Sequence, residues 1–333
     1  MNKPEIIAKY MRCMALFMVL ACGCGRKEQA AEISVVNSKP LSDDGCEIQQ
    51  DHIPIDEYEI LTENTKTDKS EVDHNDSDAD GKPNTLRYVD AWGEWHTTTI
   101  HLEWKQHTYD WNCLKNDENG IVYEGDERYT IRKGIDVSYH QGAIDWEAVK
   151  NAGYEFAILR IAYRGYGQKG VLCTDSEFHN YIKGAQEVGL DVGVYIFSQA
   201  VNETEALEEA DLVLENLKDY QIQLPVVYDP ELIRDDVART DDVSGEQFTK
   251  NTIIFCEKIA QAGYQPMIYS NMIWESEIFD LSQLQQYPIW YADYEERPQT
   301  PYAFEFWQYS EKGTVDGIQG NVDLDIQFVP LEE

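Results

Sequence analysis

The sequence predicts an α/β protein in which eight strands can close into a barrel, with fewer helices than strands. Three observations lead there. Eight short apolar runs lie between Gly134 and Phe328. The early ones alternate with helical segments, the pattern of a parallel-rich α/β sheet whose strands are buried on both faces. Acids and aromatic residues recur at the ends of successive runs, and in a barrel those ends converge on one mouth.

The elements follow in order. Gly134 to Ser138 is the first strand, and Asp145 to Lys150 opens a helix ended by Gly153. Glu155 to Ala162 is the second strand, and Ser176 to Val188 a helix closed by Gly189. Glycine just past a helix takes the left-handed turn at little cost. Val192 to Phe197 is the third strand, Glu203 to Leu217 a long acidic helix, and Leu224 to Asp229 the fourth strand. Gly245 to Ala262 is a helix closed by Gly263. Pro266 to Ser270, Pro288 to Asp293, Phe304 to Tyr309 and Val322 to Phe328 complete the eight, with shorter connections.

Composition narrows the function. The chain has 333 residues, 42% of them hydrophobic, which suffices for one large core. Its formal charge of −35 argues against nucleic acid, since phosphate binding needs a basic footprint. Eight Trp and 21 Tyr suit sugar binding, where flat apolar sugar faces stack on rings, although most will pack the core.

The N-terminus reads as an export signal. Lys3, Lys9 and Arg12 precede a short apolar run, Met14 to Ala21, too short to span a bilayer comfortably. Val19-Leu20-Ala21-Cys22 resembles a bacterial lipobox, so Cys22 is the expected lipidation site, with Cys24 the alternative. The protein is then exported and held by a lipid anchor on the outer face of the cell membrane, facing the wall. A plain cleaved signal or an uncleaved anchor would share part of this pattern. Cys46, Cys113, Cys173 and Cys256 show no C-x-x-C and no His at ligand spacing, so no metal site is expected. One disulfide is possible, with its pairing open.

Residues 41–80 carry fourteen Asp/Glu and two Lys, too little apolar surface to fold. The expected organisation is a signal peptide over 1–24, a disordered acidic tether over 25–85, an extension packed on the barrel over 86–133, and the barrel over 134–333. Trp92, Trp95, Trp104 and Trp111 mark the extension as ordered. No chemistry is legible in it.

The sharpest chemical signal is Leu224-Pro225-Val226-Val227-Tyr228-Asp229-Pro230-Glu231. An apolar strand ends in two carboxylates spaced i, i+2, which project to the same side. Glycoside hydrolysis needs such a pair, one carboxyl to protonate the leaving oxygen and one to stabilise charge on the sugar side. A strand running out into an acidic loop would explain the pair alone. The other strand ends decide against that. Asp136 ends the first strand, Tyr163 follows the second, Tyr195 belongs to the third, and Tyr269 ends the fifth. Trp290 and Asp293 end the sixth, Trp307 and Gln308 the seventh, and Asp323 and Asp325 lie on the eighth. Their convergence would make a pocket of acids ringed by Tyr and Trp, as in a sugar cleft.

Several motifs then occur together. Asp136-Val137-Ser138-Tyr139-His140-Gln141-Gly142 with Ile144-Asp145-Trp146, Arg160 to Gly167 (RIAYRGYG), Gly193 to Ser198 (GVYIFS), Trp290 to Tyr294 (WYADY) and Phe306 to Tyr309 (FWQY) resemble, in that order, glycoside hydrolase family 25 muramidases (Chalaropsis-type lysozymes). The resemblance covers Gly134 to Phe328. It implies a flattened eight-stranded TIM-like (β/α) barrel that cleaves the β-1,4 bond between N-acetylmuramic acid and N-acetylglucosamine in peptidoglycan glycan strands. It places the acid pair on Asp229 and Glu231, with Glu231 as general acid. The other active-site acids fall on Asp136 and on Asp323 or Asp293, and Asp325 receives no role. Between the paired acids the family usually has an apolar or aromatic residue, where this chain has Pro230. Nothing in residues 25–133 resembles the family's wall-binding repeats.

Glu231, beyond an apolar strand and beside Asp229, is expected to hold its proton and donate it to the glycosidic oxygen. Asp229 would orient the 2-acetamido group or stabilise charge. An acid that activates water with inversion is the competing version. Tyr163, Tyr195, Tyr269, Trp290, Asp293, Trp307 and Gln308 are expected to bind substrate. No cofactor is needed, and a monomer is expected. The rivals are a surface glycan-binding protein that keeps the fold without turnover, favoured by Pro230 alone, and a barrel hydrolase of other N-acetylated glycans.

Overall fold

The structure, a computed structural model, describes residues 84–117, 120–234 and 236–331. The expected signal peptide, Cys22, Cys24 and nearly all of the acidic tether lie outside the described residues. Among the described residues no helix is long and apolar enough to cross a membrane.

Two hairpins come first: β1 (Thr85–Val89) with β2 (Trp95–Thr99), and β3 (Leu114–Asp117) with β4 (Gly120–Tyr123). Then come β5 (Tyr129–Val137), α1 (Trp146–Asn151), β6 (Phe156–Arg164), β7 (Leu172–Thr174), α2 (Phe178–Glu187), β8 (Asp191–Ser198), α3 (Glu203–Leu217) and β9 (Val226–Pro230). They are followed by α4 (Gly245–Gln261), β10 (Pro266–Ser270), β11 (Ile289–Ala292), β12 (Phe306–Gly313) and β13 (Val322–Pro330).

The eight strands expected from the sequence close into a barrel in the order β5-β13-β12-β11-β10-β9-β8-β6, with β6 returning to β5. The short β7 folds back on β6. Two features depart from the sequence reading. The first strand begins at Tyr129, because Tyr129 to Asp136 pairs with Pro330 to Asp323; the end of the expected extension therefore belongs to the barrel. And β13 runs antiparallel to both its neighbours. Its beginning, not its end, lies at the mouth.

The four expected helices form, each with a local cause. Asp145, Asn202 and Ser244 cap α1, α3 and α4 by accepting from the backbone N–H of Ala148, Glu205 and Gln247. Gly189 and Gly263 follow α2 and α4 with φ of 74° and 91°. The connections after β10 and β11 carry only short turns of helix or none. The extension covers that sector. Trp104 lies against Tyr302, and Tyr109 stacks on Phe328 at 3.9 Å. The Tyr109 hydroxyl donates to Phe304 O at 2.5 Å.

Cys113 and Cys256 are buried free thiols, whereas Cys173 is disulfide-bonded. Neither free thiol is therefore its partner.

Candidate active site

Side chains along a strand alternate between the barrel interior and the outer layer. The inward set changes character toward the mouth. On β5 Gly134 gives way to Asp136, on β6 Phe156 and Ile158 to Arg160, on β9 Val227 to Asp229, and on β12 Phe306 to Gln308. The apolar members form one interior cluster with Met267, Tyr269, Trp290 and Ala292. The acids thus stand on a dry floor. The packing there is tight: a Cβ on Gly134 would lie 2.1 Å from the Phe156 ring.

Asp229 and Glu231 differ sharply in environment. Asp229 points inward and is buried, and its Oδ1 has no hydrogen-bond partner. Glu231 lies one residue past the end of β9 and is half-buried, its backbone carbonyl accepting from Gln199 Nε2 at 2.7 Å. Burial, then the charge of Glu231, then that of Asp136 push the Asp229 carboxyl well above its usual range, against the pull of Arg160. The sequence reading gave the desolvated role to Glu231. The inward register of β9 gives it to Asp229. Pro230 is the last residue of β9, where a missing N–H is tolerated, and it leaves Glu231 near enough for its charge to raise Asp229.

A second group of acids faces them. Asp136 accepts from Gln308 Nε2 at 2.8 Å, and Gln308 Oε1 accepts from the hydroxyls of Tyr269 and Tyr294, both at 2.9 Å. Asp323 pairs with Asp136 across β13 and β5. Asp325, fully buried, accepts from Trp290 Nε1 at 2.8 Å, and its Oδ2 has no hydrogen-bond partner. Burial first, then Asp325, pushes Asp136 well above the usual range. Burial raises Asp323 to about 9, with Asp136 adding to it, and raises Asp325 to about 8. Two charges about 4 Å apart repel by roughly 4 kcal/mol at an effective dielectric near 20. Holding a proton costs about 1.4 kcal/mol per pKa unit. Partial protonation therefore wins, and the mouth stores protons at neutral pH.

The predicted site residues sort by register. Asp136, Asp229, Glu231 and Asp323 come together, as do Tyr195, Tyr269, Trp290 and Gln308. Trp290 and Gln308 are buried supports, not exposed sugar platforms. A bulge in β6 between Arg160 and Ala162 returns Tyr163 to the inward side, where Arg160 Cζ lies 5.0 Å from its ring centre. Asp293 and Trp307 point to the outer layer. The Asp293 carboxylate accepts the N–H groups of Glu295 and Gln299, and burial raises it to about 6. The Trp307 indole donates to Asp293 O at 2.7 Å and is fully buried. Both shape the loop behind the mouth.

Sequence reasoning missed three residues. Asp325 is the chief one; its i, i+2 spacing from Asp323 on a strand was the available signal. Arg160 also binds Asp175 Oδ2 through Nε at 2.9 Å, and its burial was not legible locally. Tyr294, part exposed at the rim, follows Asp293.

Known proteins resemble this chain in sequence and fold. A family model described as glycosyl hydrolases family 25 matches residues 135–318, which include Asp136, Asp229 and Glu231 and stop before Asp323. The autolytic lysozyme of Clostridium acetobutylicum is 27% identical over 194 residues, 58% of this chain and 55% of that protein. This chain thus spans about half of that relative's length. The uncharacterized protein YegX of Escherichia coli K12 is 31% identical over 62% of this chain and 72% of its own length. The crystal structure of a bacterial lysozyme from Streptomyces coelicolor superposes with a TM-score of 0.51 at 27% identity, covering 58% of this chain and 90% of that one.

Proposed function

Because the chain belongs to glycosyl hydrolase family 25, we propose that it is a muramidase, hydrolysing the β-1,4 bond between N-acetylmuramic acid and N-acetylglucosamine in peptidoglycan. The observation that carries this reading is the unequal pair at the end of β9. Asp229 is buried with an unpartnered oxygen, and Glu231 stands half-buried at the rim beside it.

The two carboxyls divide the chemistry. Glu231, at the rim, meets the glycosidic oxygen and donates the proton that the pair retains. The free Oδ1 of Asp229 accepts the N–H of the 2-acetamido group, so that its carbonyl turns toward the anomeric carbon. That carbonyl attacks as the leaving-group bond breaks, and Asp229 stabilises the positive charge that develops. Water then opens the cyclic intermediate, with Glu231 acting as base. Asp136, fixed by Gln308, keeps a protonated carboxyl against the same sugar. Tyr163, Tyr195 and Tyr294 flank the cleft with apolar ring faces.

The test is clearing of purified cell walls by the full chain, with product analysis. New N-acetylmuramic acid reducing ends with the same anomeric configuration as the substrate support the reading. New N-acetylglucosamine ends, or binding without release, would overturn it. An inverted anomer would replace acetamido attack by direct attack of water.

The proposal extends to location. Lys3, Lys9, Arg12 and the Leu20-Ala21-Cys22 sequence support lipidation at Cys22 and retention on the outer face of the cell membrane, with the barrel working on the wall beyond.

A further inference from the structure

The hairpin β1–β2 is held by three loops that leave consecutive strand ends. Arg234, three residues beyond Glu231, places its guanidinium 3.3 Å from the centre of the Trp92 ring and 3.5 Å from Asp90 Oδ2. Ser276, after β10, hydrogen-bonds the Tyr88 hydroxyl at 2.9 Å. Gln299, after β11, accepts from Val89 N and donates to Val89 O, both at 2.8 Å, while its own N–H donates to Asp293. Strands β9, β10 and β11 are parallel, so these loops all leave the end of the barrel that carries Asp229. The hairpin therefore stands on the rim of the mouth.

Its turn is built to present one side chain. Asp90 Oδ1 accepts from the N–H groups of Trp92 and Glu94, both at 2.9 Å, and Oδ2 lies 3.0 Å from His96 Nε2. His96 stacks on Tyr88, which anchors the inner face. On this braced turn Trp92 remains 56% exposed, although Arg234 covers one face of its ring. Exposure alone would be ordinary for a single side chain; the bracing of the turn and its place on the rim set this indole apart, and the C–H face of a pyranose fits the ring.

We infer that Trp92, backed by Arg234, is an outer subsite that stacks a sugar of the glycan strand beyond the disaccharide being cleaved. The identity of the polymer rests on the muramidase reading above; the position of the platform does not. The subsite lengthens the cleft, so it acts on long strands and not on short ones.

The experiment uses the full chain carrying Glu231→Gln, so that glycan is bound without being cut. Trp92→Ala in this background should bind long, peptide-free glycan strands about tenfold more weakly, the equivalent of roughly 1.4 kcal/mol of stacking, while affinity for a tetrasaccharide stays the same. Trp92→Tyr should recover part of the loss. Arg234→Met, which removes the cation and keeps the stem, should weaken long-strand binding in the same direction. Trp95→Ala is the control, an equally exposed indole whose cation partner, Arg87, belongs to the hairpin itself. Unchanged long-strand affinity in Trp92→Ala, or an equal loss in Trp95→Ala, overturns the subsite. Wall clearing by Trp92→Ala in the otherwise unaltered chain is measured in parallel. If the unaltered chain never cleaves walls yet Trp92→Ala weakens binding, the subsite stands and the muramidase reading falls.

Discussion

The indole N–H of Trp290 donates 2.8 Å to Asp325 Oδ1 inside the barrel, one layer below Asp136. Asp325 is thereby held against Asp136 in a place no water reaches, and its charge raises the hold of Asp136 on a proton in addition to what burial does, whereas the hydrogen bond from Asp136 lowers Asp325. A residue that looks like a spare acid on the last strand is part of the floor of the candidate site.

Asp325→Asn is accordingly not a neutral change. Asparagine still accepts from Trp290 but cannot ionise. The Asp325 carboxyl rises to about 8 in the folded chain from an ordinary value near 3.9. The folded state then keeps a proton that the unfolded state has lost, so stability falls as pH rises from about 4 to 8. The variant should therefore melt close to wild type at pH 4 and several degrees higher at pH 8, at about 2–4 °C per kcal/mol. A melting difference that does not grow with pH would show that Asp325 does not titrate there.

Glu231→Gln keeps the shape of the acid and removes its proton. Turnover should fall by about 10²–10⁴-fold while glycan binding survives. Asp229 is raised first by burial and then by Glu231. Removing that charge should lower it, moving the acid limb of any residual activity to lower pH and erasing the alkaline limb. Wall clearing measured from pH 3 to 8 reads both effects; wild-type rates in Glu231→Gln would place the acid elsewhere.

Asp229→Asn should lose most activity through kcat, because an amide cannot stabilise the positive charge on the acetamido group. Removing a buried and partly uncompensated carboxyl should at the same time leave stability unchanged or raised. A loss confined to KM would make Asp229 a binding residue only.

Gln308→Leu strips the hydrogen bonds from Asp136, Tyr269 and Tyr294 together. Leaving buried polar groups unpaired costs about 1–3 kcal/mol each. We expect a clear drop in melting temperature and at least tenfold lower kcat. Gln308→Glu should be worse at pH 7 than at pH 4, since it sets another carboxylate against Asp136.

Cys22→Ser should release the protein from the membrane fraction of cells that express it, since a lipid anchor needs the thiol. Equal partition of wild type and the Cys22→Ser, Cys24→Ser double variant into the soluble fraction would refute the anchor.

Local sequence determined much of this protein. Apolar runs and closing glycines determined the eight strands and four helices. The i, i+2 spacing of Asp229 and Glu231, after a strand with nothing polar in it, determined the candidate acid pair. Tertiary structure decided the rest, because the face a side chain takes depends on pairing with strands far along the chain. Asp293 lies just past the end of β11 as expected, whereas Trp307 is the second residue of β12, and the parity of both sends them outward. Tyr163 faces inward because β6 carries a bulge. Asp323 and Asp325 belong to the mouth because β13 pairs antiparallel with β5. Burial of Asp229 rather than Glu231 follows from the same closure, since desolvation is a property of the assembled interior and not of any stretch of sequence.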